Sequence, residues 1–136
     1  MPAHPRLFQT VLDTTDVRQL AEFYRKLLGM DYTSGEDPSA EGADPNPDWL
    51  SLSDHRGGRL AFQLVDRLTP TTWPEHEVPM QLHLDLLMED LATLEHWRGW
   101  AKEHGATELL DRTDDPDEPL VVLADPSGHP FCLFVR

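Results

Sequence analysis

The sequence contains a single cysteine, Cys132, so no internal disulfide can staple the chain, as suits a reducing compartment. Basic residues are scarce: 11 Lys and Arg stand against 25 Asp and Glu, for a formal charge of -14. Such an excess repels phosphate backbones and anionic lipid surfaces, which argues against nucleic acid and membranes as partners and leaves neutral or cationic small molecules open. No apolar run approaches the roughly 18 residues of a membrane span. The start, Met1-Pro-Ala-His-Pro-Arg, carries no signal-peptide core, and a cytoplasmic protein is expected.

What is present is a folded pattern. The 136 residues, 39% hydrophobic and 26% charged, suffice for a core that stands without disulfides or structural metal. The run from Gln9 to Asp16, a strand entering an acidic helix cap, recurs with the same spacing from His83 to Asp90. The chain therefore reads as two copies of one unit.

In the first copy, residues 5–66, a strand is expected over Leu7–Asp13 and a helix capped by Asp16 and ended by Gly29. Its apolar stripe runs Val17, Leu20, Ala21, Phe23, Tyr24, Leu27, Leu28 at helical spacing. A short strand over Met30–Ser34 follows. Gly35–Asp48, rich in Pro, Asp and Gly, predicts a mobile loop, and strands over Trp49–Ser53 and Arg59–Val65 complete the unit. Residues 67–79 make a proline-rich connector.

The second copy, residues 80–136, repeats the order. A strand is expected over Met80–Leu87 and a helix over Leu91–His104, with Leu91, Leu94, Trp97 and Ala101 buried. Strands over Thr107–Leu110, Leu120–Ala124 and Pro130–Val135 follow. Period two places Gln81, His83 and Asp85 on one face of the leading strand. A histidine two residues from a carboxylate is a metal pair, or a histidine with its orienting partner, or a hydrogen-bonded pair that buries both groups. Of the other histidines, His55, His76, His96, His104 and His129 fall in loops, turns or wet helix faces.

Two tandem strand-helix-three-strand units, with Phe23-Tyr24-x4-Gly29 closing the first helix and Asp125-Pro126-x-Gly128-His129-Pro130 before the last strand, resemble the vicinal oxygen chelate superfamily. That group holds glyoxalases, bleomycin-resistance proteins and extradiol dioxygenases, and the resemblance is to its glyoxalase-like branch. It implies an α+β fold of two βαβββ units whose sheets curve into an eight-stranded half-barrel, with ligand and any metal on the concave face and a homodimeric assembly. Carried over by position, the family's metal slots fall on Gln9, Gln63, His83 and Cys132.

Here the sequence departs from the family, because Gln63 and Cys132 stand where carboxylates neutralise the metal. A zinc, nickel or iron ion would rest on Gln9 and His83, with Gln63, Asp85 or Cys132 as further ligands. Amide oxygens supply no compensating charge, and a thiol in apolar surroundings stays neutral. The expected function is thus the binding of a small aromatic or cationic molecule in a pocket lined by Gln9, Trp49, Phe62, Gln63, His83, Asp85 and Cys132. Trp49, like Trp73, also fits an ordinary packing role. The alternative is a metal-dependent glyoxalase-like lyase or isomerase working through an enediolate, which would lack its usual glutamate base. A dioxygenase would lack a histidine.

Overall fold

A computed structural model describes residues 1–39 and 41–136. Ala40, within the expected loop, lies outside the described residues. By contact the chain divides into Met1–Asp66 and Arg67–Arg136. Each unit is a four-stranded sheet with one helix, and neither helix is long and apolar enough to cross a membrane.

The first unit runs β1 (Thr10–Thr14), α1 (Val17–Leu28), β2 (Asp31–Tyr32), β3 (Trp49–Ser53) and β4 (Arg59–Leu64). The sheet order is β1-β4-β3-β2, with β1 parallel to β4. Helix α1 begins where the Asp16 carboxylate accepts the Gln19 amide at 3.1 Å and stops at Gly29, whose φ of 65° most side chains avoid. Six of the seven stripe residues are buried, and Leu28 is half-buried. They pack on Leu12, Leu50, Leu52, Leu60 and Phe62, all under 9% exposed. Each such side chain contributes roughly 1.5–3 kcal/mol by leaving water, which makes this face the main stabilising element of the unit.

The loop after β2 is tied down on both flanks. The Arg18 guanidinium donates twice to Asp44, at 2.7 and 2.9 Å, and once to the Glu36 carbonyl at 2.7 Å. The Glu36 carboxylate in turn accepts the Ser51 amide of β3 at 2.8 Å. Composition predicted mobility here because the residues that anchor the loop lie on α1 and β3, outside its own sequence.

The second unit runs β5 (Leu84–Met88), α2 (Leu91–Glu103), β6 (Thr107–Arg112), β7 (Leu120–Ala124) and β8 (Pro130–Val135). Its order is β5-β8-β7-β6, with β5 parallel to β8. Asp90 caps α2 by accepting the Thr93 amide at 2.7 Å. The α2 stripe is thinner than expected: Leu94 and Ala101 are buried, Trp97 is half-buried, and Leu91 is 44% exposed. Leu91 opens the helix, where a side chain leans back past the first turn instead of over the sheet. Strand β6 extends two residues further than expected, with an irregularity between Glu108 and Leu110.

The Asp125–His129 turn into β8 is held by the Asp125 carboxylate, which accepts the Ser127 and His129 amides at 2.9 and 3.1 Å. Gly128 in this turn has φ 96°, and a Cβ there would come within 2.6 Å of the Pro70 ring. The connector is therefore pressed on the turn. It closes on itself as well, since the Thr72 amide donates to the Val78 carbonyl at 2.9 Å and the Val78 amide to the Thr72 hydroxyl at the same distance.

Candidate functional site

Strand pairing fixes which side chains of the second unit share a face. Asp85 pairs with Cys132, Cys132 with Val122, and Val122 with Leu110. The next row on the same face runs Leu87, Phe134, Leu120, Arg112. The alternate residues Val121, Leu123, Phe131 and Leu133 are fully buried on the other face, which α2 covers. The face away from α2 thus has an apolar centre on β8 and β7, with polar groups at both edges.

A cavity of about 270 Å³ lies on this face. His83, Asp85 and Cys132, all expected at the site, line it together. The His83 Nε2 is 3.1 Å from the Asp85 Oδ1, with the two side chains 44% and 59% exposed. A pair this open is not a means of burying both groups; it is an orienting contact at a wall. Cys132 lies on the floor, and its thiol is pushed up to about 11 by burial first, with Asp85 and Glu118 adding and Arg112 opposing.

Trp73 from the connector forms another wall, and Arg112, Glu118, Phe134 and Arg136 complete the rim and floor. Of these only Trp73 stood out in the sequence. The alternation of Leu120, Val122, Cys132 and Phe134 along β7 and β8 was the signal that would have placed them on one face.

In the first unit, Trp49 and Gln63 are cross-strand partners in one row with Asp13, on the face away from α1. Gln9 precedes β1 at the level of Arg59. The Gln9 Oε1 and Arg59 Nε atoms are both buried without a hydrogen-bond partner among the described residues. Phe62 is placed differently from its expected pocket position. It is fully buried on the helix side, 6.0 Å from the Tyr24 ring in a stacked pair, because strand alternation turns it opposite to Gln63.

At its cavity the second unit offers a divalent ion the His83 imidazole, the Asp85 and Glu118 carboxylates and the Cys132 thiol. Asp85 already contacts His83, and the buried thiol must first lose its proton to ligate, which its surroundings oppose. No group of three or more His, Cys, Asp or Glu side chains among the described residues is arranged to hold a metal ion. These donors do not fit a tightly bound divalent cation.

A βαβββ unit used twice, each with its first strand parallel to its last, defines the vicinal oxygen chelate fold. The profile of the glyoxalase-like domain matches residues 9–134, and the chain belongs to that family. Among solved structures, it resembles a glyoxalase/bleomycin resistance protein/dioxygenase family enzyme from Burkholderia phytofirmans PsJN. That likeness has 14% identity and a TM-score of 0.69 over 94% of this chain and 96% of the other. The fosfomycin resistance protein FosX from Mesorhizobium loti aligns at 10% identity and TM-score 0.68, over 98% of this chain and 94% of the other. Lactoylglutathione lyase from Agrobacterium tumefaciens aligns at 16% and 0.60, over 98% and 96%. At these identities the likeness is one of fold. No curated protein sequence matches the chain.

Proposed function

We propose that this chain is a small-molecule-binding member of the superfamily, holding an aromatic ligand on the face of the second sheet and working without a metal. The observation that carries the reading is the cavity of about 270 Å³ with an apolar floor, Trp73 as an aromatic wall and the Asp85 carboxylate at its edge. Apolar floor and aromatic wall favour a flat body by burial and stacking, and the carboxylate favours a cationic or hydrogen-donating head. A homodimer is part of the proposal. The competing reading, a metal-dependent lyase or isomerase acting through an enediolate, finds no fitting donor set in the second unit.

Benzylamine, an aromatic cation, tests the reading by backbone NMR titration. Its addition is expected to shift amides of β5, β7 and β8, and Asp85→Asn is expected to weaken it. Melting should be unchanged by EDTA or by zinc, nickel or ferrous iron, since a ligand at about a hundred times its dissociation constant would add about 2.7 kcal/mol and raise it visibly. One equivalent of copurifying metal, lost in His83→Ala, would decide for the lyase reading.

A further inference from the structure

Resting on the binding reading above, we infer that the ligand of this site is dipolar: a single-ring molecule with a carboxylate at the end opposite Asp85, anchored by Arg112 with help from Arg136. The argument starts from how the arginines are spent. With 25 acidic residues to 11 basic ones, carboxylates are at hand to saturate a guanidinium that the fold holds in place. Arg98 shows this, with Glu95, Glu108 and Asp111 at 3.2, 2.7 and 2.6 Å, and so does Arg18 with Asp44 at 2.7 Å.

The two arginines at the cavity are different. Arg112 is 55% exposed, and its ion-pair partner Asp115 is 3.8 Å away. Asp115 is held through its other oxygen, Oδ1, which accepts the amides of Asp117 and Glu118 at 2.9 and 3.3 Å. Arg136 is 77% exposed and reaches Glu118 only at 3.4 Å. Ion pairs this loose and this wet are worth little, so an incoming anion displaces them at small cost. Glu118 keeps Arg136 partly neutralised and leaves Arg112 as the principal anchor. A guanidinium takes a carboxylate through two parallel hydrogen bonds, which fixes orientation as well as affinity.

Position supplies the rest. In the row containing Asp85, the opposite edge is Leu110, three strand intervals away through Cys132 and Val122. Arg112 stands on that same edge one row on. At about 4.8 Å per interval the edges are roughly 14 Å apart, backbone to backbone, and side chains reach inward from both. What remains between them is a single-ring span over Val122, Cys132, Leu120 and Phe134. The charged groups lining it are His83 and Asp85 on the β5 side, Arg112 on the β6 edge, and Glu118 and Arg136 at the strand end where β7 begins and β8 has ended.

Four matched probes test this: 4-(aminomethyl)benzoate with both ends, 4-methylbenzoate with the anion alone, 4-methylbenzylamine with the cation alone, and p-xylene with neither. Dissociation constants from NMR titration are expected to favour 4-(aminomethyl)benzoate over 4-methylbenzylamine by roughly tenfold or more, the scale of a charge-assisted bidentate pair. Arg112→Gln should erase that preference, while 4-methylbenzylamine, which lacks the anion, should lose no affinity. Arg136→Gln should reduce it by less, and added salt should weaken it. If 4-methylbenzylamine binds as tightly as the dipolar probe and Arg112→Gln changes nothing, the carboxylate end is refuted while the pocket stands. If none of the four probes shifts any resonance of β5, β7 or β8, the binding reading falls and this inference falls with it.

Discussion

Cys132 is buried on the cavity floor beside Asp85, its cross-strand partner. Burial is the larger cause of its high thiol pKa and the Asp85 charge the next, so its reactivity reports on the floor of the site. At pH 8 the folded protein should react with iodoacetamide roughly a hundredfold more slowly than the unfolded chain, whose thiol titrates near 8.5. The rate should climb with pH towards about 11. Asp85→Asn removes a negative neighbour, lowers the thiol pKa and should speed the reaction at fixed pH. An unchanged or slower rate in that variant would show that Asp85 does not face the thiol. The same pairing explains why Cys132 suits a binding floor better than a nucleophile's post: a neutral thiol is a small apolar group.

Among the elements, the loop between β2 and β3 gives a test with a definite sign. Arg18 holds the Asp44 carboxyl at about 2, below its ordinary 3.8, chiefly through the paired hydrogen bonds, with the Asn46 amide adding. A depressed carboxyl stabilises the fold fully above its unfolded value and loses that contribution as pH falls from about 4 to about 2. Melting of the natural chain should therefore drop more steeply across that window than melting of Asp44→Asn. Equal slopes would mean that the pair is not made in solution. This contact was illegible in the sequence because it joins residues far apart in the chain. Legibility followed locality elsewhere too. The Asp16 and Asp90 caps, the Gly29 stop and strands β3, β7 and β8 appear where short-range pattern placed them. The late start of β1 at Thr10, the extension of β6 to Arg112 and the exposed Leu91 depend on partners that alternation does not name. Of the site, Asp85 and Cys132 were readable from strand period and family position; His83 was readable from family position alone, because β5 begins at Leu84 instead of Met80 and leaves Gln81 and His83 ahead of the strand. Arg112, Glu118 and Arg136 were not, since charged residues near strand ends look like any wet surface until the register is known.

For the molecule as a whole, net charge governs association. A charge of -14 sets like surfaces against each other, and salt screens that repulsion over about 10 Å at 0.1 M. Light scattering at micromolar concentration should give twice the chain mass, with the dimer favoured further as salt rises. A single-chain mass at every concentration and salt would remove the dimer from the proposal. The parallel closure of each unit bears on how the chain acquires its structure during synthesis. Thr10 pairs with Leu60, and Leu84 with Phe131, so in each half the opening strand has no neighbour until the closing one has been made. In the second half β8 lies between β5 and β7, and both wait for it. A chain released after β7 would therefore have a first half with every strand available to pair and a second half with β5 and one edge of β7 unpaired, the kind of bare strand edge on which incomplete chains aggregate.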